Sequence, residues 1–234
     1  MDPKARNSCD VREMFDRIAP RYDLLNHLLS FGVDCRWRKA AARAALAKRP
    51  RRILDVATGT GDLAILLKKL CPEAEVVGLD FAPEMLRRAR KKAGRAGTAI
   101  EFVEGDALAM PFEDGSFDAL TVAFGFRNFS DYERGLKEFY RVLSPGGRAV
   151  ILEFPPPPKR GFGRLVRFYY DKVLPRLGGL ISGSPEAYRY LPETVVRFPP
   201  PAELSAMMRS VGFSPQVRLM TGGIAGLFVG DKGV

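Results

Sequence analysis

The stretch RRILDVATGTGDLA, residues 51–64, constrains the fold more than any other part of the chain. Its apolar half reads as a buried strand that ends at a glycine-bearing turn. The continuation TGDLAILLKKLC reads as a helix stopped by Pro72. The same alternation then repeats. AEVVGLD is a second strand, APEMLRRARKKAGRAG a helix ended by glycines, AIEFVEGD a third strand and SFDALTVAF a fourth; DYERGLKEFYRVL is a helix and GRAVILEF a fifth strand. Strands that alternate with helices predict an α/β fold, a mostly parallel sheet covered by helices on both faces.

The flanks complete the pattern. Residues Val11 to Arg49 carry apolar positions at helical spacing, interrupted at Pro20, and predict N-terminal helices. After Phe154 the run PPPP blocks helix and sheet alike and marks a stiff boundary. A basic, aromatic, helical insert is expected up to about Phe198. PPPAELSAMMRSVGF is then a helix opened by prolines, and two strands, about Ser214 to Met220 and Ile224 to Gly230, are joined through TGG, for a total of seven. The chain thus reads as one domain: a helical cap over 1–50, a ligand-binding core over 51–154, the insert over 155–198 and a closing helix and strand pair over 199–234.

Composition narrows the function classes. No apolar run reaches the roughly 18 to 20 residues that span a bilayer, and MDPKARNSCDVREMF has no signal-peptide core. Cys9, Cys35 and Cys71 have no metal-ligand spacing and read as free thiols of a reducing, cytoplasmic compartment. No metal site is expected. The net charge of +10 is clumped: Arg36 to Arg52 holds eight bases and no acid, and Arg87 to Arg95 forms a second run. A third, KRGFGRLVRFYYDKVLPRLGG, mixes bases with aromatics and leucines, which suits lipid or an apolar ligand. A solvated helix face is the competing reading of the first two.

Gly59 and Gly61 stand between strand and helix, where absent side chains let the backbone turn sharply and approach a ligand. Asp80 ends the second strand about 20 residues further on, where a carboxylate holds ribose hydroxyls. Read loosely, residues 59–64 also fit a dinucleotide fingerprint, so a nicotinamide dehydrogenase is the rival. The other acids tilt the choice. Asp55 in the first strand and Asp62 after the turn would repel a pyrophosphate but suit a ligand bearing an ammonium and a sulfonium, although Asp62 could merely favour a helix start. Asp106 adds an acid after the third strand, at the expected place of an adenine edge. Acids after strands one, two and three describe S-adenosylmethionine better than NAD. The loop resembles the glycine-rich loop of class I methyltransferases, whose fold is Rossmann-like.

Further motifs carry a closer resemblance. Tyr22, Asp23, Asn26, Ser30 and Trp37 stand at the spacing of an N-terminal signature, and RVLSPGG, DVATGTGD, FGFRN, EAYRYLPE and TGGIAGLFVG follow across the chain. In this, nearly the whole chain, Tyr22 to Gly230, resembles the ubiquinone and menaquinone biosynthesis methyltransferase family. It departs from that pattern at Leu25 (usually methionine), Asp34 (usually histidine), Ser144 (usually lysine) and Ala123, where a serine is common near the end of strand four; EFPPPP also replaces the usual serine-lysine-proline after the phenylalanine. The resemblance implies methyl transfer from S-adenosylmethionine to a ring carbon of a prenylated quinol, with demethylmenaquinol as the expected acceptor and the benzoquinol intermediate of ubiquinone synthesis as the alternative. It also implies Thr58, Asp80, Asp106 and Ala107 as cofactor contacts, and it gives Tyr22 and Asn26 a claim on the substrate, against a role anchoring the N-terminal helices.

The chemistry asks for a cation. A phenol near pKa 10 and a histidine near 6.5 differ by about 3.5 units, on the order of 5 kcal/mol, so a histidine base alone faces a steep gap. A cation that stabilises the phenolate lowers it. Arg127 follows the fourth strand, at the carboxyl end of the sheet where ligands sit, and is the candidate for that role; Asn128 is the candidate for orienting the ring. A salt bridge on a loop is the bland reading of Arg127, and core packing that of at least one of Phe124, Phe126 and Phe129. His27, the only histidine, reads as surface or structural, and Trp37 as a packing anchor. The insert reads as a cover for the isoprenoid tail, a peripheral membrane contact or a homodimer contact. An RNA methyltransferase would share the basic surface, but the chain has neither a separate RNA-binding segment nor an asparagine-proline-proline-tyrosine motif after the fourth strand, so no nucleic acid is expected. A non-enzymatic scaffold would predict a decayed glycine loop, and the loop is intact.

Overall fold

A computed structural model of the chain describes residues 30, 32–157, 163 and 194–234. Among the described residues seven strands form one sheet: β1 (Arg52–Val56), β2 (Glu75–Asp80), β3 (Glu101–Glu104), β4 (Phe117–Ala123), β5 (Leu143–Glu153), β6 (Phe213–Met220) and β7 (Ala225–Lys232). Their spatial order is β3-β2-β1-β4-β5-β7-β6. β1 to β5 run parallel, and β7 lies antiparallel to both β5 and β6. The helices between them among the described residues are α1 (Val33–Leu46), α2 (Asp62–Leu70), α3 (Pro83–Arg95), α4 (Tyr132–Val142) and α5 (Pro201–Val211).

The period-two alternation of strand side chains divides the core in two. Ile53, Val76, Ala119, Val150 and Leu152 face α1, α2 and α3, whereas Leu54, Val56, Val77, Leu79, Leu120, Val122 and Ile151 face α4 and α5. Helix α1 lies close to the sheet because its inner positions after Trp37 are small: Ala41, Ala42 and Ala45 are all fully buried. The ends carry local signals. Asp131 caps α4 by accepting a hydrogen bond from the Arg134 N–H, Pro83 and Pro201 open α3 and α5, and Gly212 ends α5 in the left-handed region.

The expected fifth strand, GRAVILEF, is shorter than the observed one. β5 starts at Leu143 because the chain pairs with β4 once at Leu143↔Phe117, slips its register, and resumes at Arg148↔Ala119. Pro145, Gly146 and Gly147 read as a turn in isolation, but the neighbouring strand captures the segment as an irregular ladder. The N-terminal helices expected before Gly32 and the helical insert lie outside the described residues, apart from Ser30, residues 155–157, residue 163 and the end of the insert from 194 onwards. Among the described residues no helix is long and apolar enough to cross a membrane.

The topology creates one favoured crevice. β1 connects to β2 on one side, while its other neighbour β4 leads away to β5, so the chain reverses direction between β1 and β4. Open α/β sheets bind ligands beyond the carboxyl ends of the strands at such a switch point.

Candidate active site

The residues after β1 and β4 lie at this switch point, and both leave their strands through unusual backbone. Ala57 has φ 50 and Phe124 has φ 59, values that non-glycine residues adopt rarely. The two turns touch. A side chain at Gly125 would place its Cβ 2.6 Å from the Cβ of Ala57, which explains the glycine of FGFRN.

On the β1 side, Asp55 is 1% exposed and accepts two hydrogen bonds of 2.6 Å, from the Thr58 and Thr121 hydroxyls. Burial dominates its ionisation and pushes the carboxyl up to about 6, against those hydroxyls and the Arg38 charge, which favour the anion. Asp80 accepts from the Gly59 N–H at 2.7 Å and from the Ala82 N–H at 3.0 Å, so one carboxylate ties the glycine turn to the start of α3. The turn needs both glycines. Gly59 has φ 57 with nothing within 4 Å of the place of a Cβ, and Gly61 has φ 82 with Ala89 and Phe102 closing on it at 3.2 and 3.3 Å. Gly105 donates to the Asp80 carbonyl at 3.0 Å, which brings the β3 end to the same rim; there Asp106 is exposed and accepts from the Leu108 N–H at 2.9 Å, and Ala107 is half-buried. Asp55, Thr58, Gly59, Gly61, Asp80, Asp106 and Ala107 therefore lie along one edge of the sheet.

On the β4 side the observed group differs from a bare cation. Arg127 donates through Nη1 to Glu153 Oε1 at 2.8 Å and to the Phe124 carbonyl, and its main-chain N–H donates to Glu153 Oε2 at 3.1 Å. Glu153 ends β5, is fully buried, and also accepts from the Phe154 N–H at 2.9 Å. The Arg127 guanidinium lies over the Phe154 ring, 5.7 Å from its centroid. Phe154 stacks on Phe124 with centroids 4.5 Å apart, and Trp37 meets Phe154 edge-on at 5.8 Å. The structure thus places an ion pair beneath an aromatic wall. Asn128 shares the turn, and its Oδ1 is buried with no hydrogen-bond partner among the described residues.

Other expectations are placed as follows. Trp37 is buried and donates from Nε1 to the Thr221 hydroxyl at 2.9 Å, a packing anchor between α1 and the turn before β7. Phe126 is fully buried against Phe139 and Phe198 on the α4 side of the sheet, and is a core residue. Asp34, where a histidine was the pattern, is buried in an ion pair with Arg38 and accepts from the Ser30 hydroxyl at 2.7 Å. Ala123 is half-buried at the end of β4. Tyr22, Asp23, Asn26 and His27 lie outside the described residues.

Two residues of the site were not singled out from sequence. Glu153 closes an apolar run, AVILEF, with an acid at the carboxyl end of a central strand, and Thr121 interrupts ALTVA with a hydroxyl; both are polar groups in strands whose neighbours bury.

Known proteins resemble the chain over most of its length. The model of the ubiE/COQ5 methyltransferase family matches residues 3–232. The chain belongs to the ubiE/COQ5 methyltransferase family. Within reach of it, a demethylmenaquinone methyltransferase from Thermus thermophilus is 63% identical over 219 residues, covering 94% of this chain and 100% of that protein. Another from Deinococcus radiodurans is 60% identical over 222 residues, covering 95% and 92%. Among solved structures, a SAM-dependent methyltransferase from Thermotoga maritima superposes with a TM-score of 0.64 at 22% identity, covering 94% of this chain and 98% of that one, a likeness of fold. The family membership and this likeness identify the fold as the Rossmann-like fold of class I methyltransferases.

Proposed function

We propose that the protein transfers a methyl group from S-adenosylmethionine to a ring carbon of demethylmenaquinol. The observation that carries the reading is the meeting, at one switch point, of an acid-lined glycine turn with an aromatic wall that bears a buried arginine. The similarity to the two demethylmenaquinone methyltransferases supports it.

The residues on the β1 side fit the cofactor. Asp80 has both oxygens at the end of β2 and, as a carboxylate, has further acceptor capacity for ribose hydroxyls. The space beside Gly59 admits close approach of a ligand to the backbone. Asp55 supplies negative charge below the turn, and Asp106 an acid at its rim. Such a donor set suits a cationic ligand with hydroxyl groups better than a pyrophosphate. S-adenosylmethionine, when bound there, supplies an electrophilic methyl group on a sulfonium.

The β4 side supplies what the acceptor needs. Ring-carbon methylation requires an electron-rich ring, which the quinol is and the quinone is not. The half-buried Phe154 ring, backed by buried Phe124, offers an apolar contact to it. Arg127, held by Glu153, brings guanidinium N–H donors that favour a phenolate, and the Asn128 Oδ1, without a partner among the described residues, can accept a phenolic O–H and fix the ring. Correct placement of the ring carbon contributes much of the rate for an in-line displacement. Tyr22 and Asn26 complete this proposal as substrate groups from the N-terminal segment. The protein works at the inner face of the membrane that holds its acceptor.

An assay with radiolabelled donor tests the reading on reduced naphthoquinol and benzoquinol acceptors, each with and without a prenyl tail. Label should appear first and fastest in the reduced naphthoquinol. Preference for the benzoquinol would move the head-group assignment to the ubiquinone branch.

A further inference from the structure

The carboxylate of Asp62 stands directly after Gly61, at the first position of α2. Its two oxygens face two cations from two different helices. Lys92 of α3 binds Oδ1, and the Arg38 Nη2 of α1 lies 3.9 Å from Oδ2. Lys92 Nζ also approaches the Thr60 hydroxyl at 3.5 Å, so the contacts bracket Gly61 on both sides. Arg38 is itself held from behind. Its side chain is 9% exposed, it pairs with buried Asp34 one turn earlier in α1, and its guanidinium lies over the Phe124 ring at 5.4 Å.

We infer that Asp62, clasped between Arg38 and Lys92, is a positioning residue that holds the glycine turn in its donor-binding shape and joins α1 to that turn. A free acid at this place would suit the ammonium of a ligand; here two cations of the protein already face it. Gly61 makes the clasp useful, because a left-handed residue with no side chain has many alternatives to its observed conformation. The charges alternate along the chain Asp34, Arg38, Asp62, Lys92, so each group has an opposite neighbour, and half-buried pairs of this kind resist salt better than surface ones. Through Phe124 the same guanidinium also touches the turn that carries Arg127, so the N-terminal helix contacts both halves of the site.

The inference rests on the proposed binding of S-adenosylmethionine at this turn, and titration calorimetry on the full chain tests it. Lys92→Met and Asp62→Asn should each weaken S-adenosylmethionine about tenfold, with turnover at saturating donor within about twofold of wild type, and Arg38→Met should weaken donor binding at least as much. Lys92 is 35% exposed, so its replacement leaves the folded core intact even if Arg38→Met lowers the melting temperature. The deciding readout is non-additivity: in an Asp62→Asn background Lys92→Met should not weaken binding further, the loss caused by Arg38→Met should shrink, and Arg38→Lys should restore part of the Arg38→Met loss. Cation substitutions whose effects persist undiminished in the Asp62→Asn background would overturn the clasp, as would unchanged binding in Asp62→Asn. A wild-type chain that bound no S-adenosylmethionine would instead remove the functional reading beneath it.

Discussion

Glu153 accepts hydrogen bonds from both the main-chain N–H and the guanidinium of Arg127, one to each carboxylate oxygen. A single buried acid at the end of β5 therefore sets the backbone and the side chain of the turn after β4. Glu153→Gln removes the anion from this buried pair, and breaking a pair of this type costs about 3–5 kcal/mol. Turnover should fall at least about tenfold while donor affinity stays near wild type. Chemical denaturation and donor titration of the same sample check both halves; wild-type turnover in a destabilised protein would show that the pair serves the fold alone.

Arg127→Ala should lower turnover far more than it lowers donor affinity, and Arg127→Lys should recover little, because a compact ammonium cannot lie as a plane over the Phe154 ring while it pairs with Glu153. Single-turnover kinetics at saturating donor measures this. An unchanged rate in Arg127→Ala would remove the residue from the chemistry.

Asp55 makes stability depend on pH in a stated direction. Its value of about 6 lies above the ordinary 3.8 because burial disfavours the anion. The folded state therefore holds the proton more tightly than the unfolded one. The resulting penalty is absent below about pH 3.8, grows as pH rises, and is complete above about pH 6, where it reaches about 3 kcal/mol. Asp55→Asn should accordingly be more stable than wild type at pH 8, with the margin closing as pH falls toward 4. Denaturation midpoints at the two pH values test this, and a margin independent of pH would contradict it. The same variant should bind the donor less well, since the negative charge below the turn is gone.

Gly125→Ala should open the switch point. The new methyl would overlap the Ala57 Cβ, and the turns after β1 and β4 must separate to admit it. Overpacking of this kind costs about 1–3 kcal/mol. Weaker donor binding should accompany the loss, and full retention of both would show that the two turns move independently.

Asp80→Asn weakens both the turn and donor binding. The amide nitrogen cannot accept, so one of the two backbone N–H groups loses its partner, at a cost of about 1–3 kcal/mol in stability. Hydrogen bonds to a charged group are worth about 1.5–3 kcal/mol, so donor affinity should fall about ten- to a hundredfold. Calorimetric titration reads this directly.

The sheet was legible because burial on both faces leaves near-continuous apolar runs, such as ILDV and AVILEF, and glycines mark where they end. The acids at the ends of β1, β2 and β3 were legible for the same reason: a charge that closes such a run has few structural uses. Glu153 has the same signature, and reading it as the partner of Arg127 requires β4 beside β5, a long-range pairing. The Asp34 and Arg38 pair follows i, i+4 spacing and is visible in a helix, but their reach to Asp62 and on to Lys92, 30 residues further along, depends on α1 and α3 flanking α2 on one face. The start of β5 was hidden because a proline and two glycines announce a turn locally, and only the neighbouring strand overrules them.

The most direct test of the central claim is methyl transfer to one naphthoquinol acceptor in its two redox states. With S-adenosylmethionine bound, the labelled methyl should appear on a ring carbon of the reduced acceptor and not on the oxidised quinone, and Arg127→Ala should abolish most of that signal. Donor binding without transfer to any reduced quinol, or equal transfer to quinol and quinone, would contradict the account.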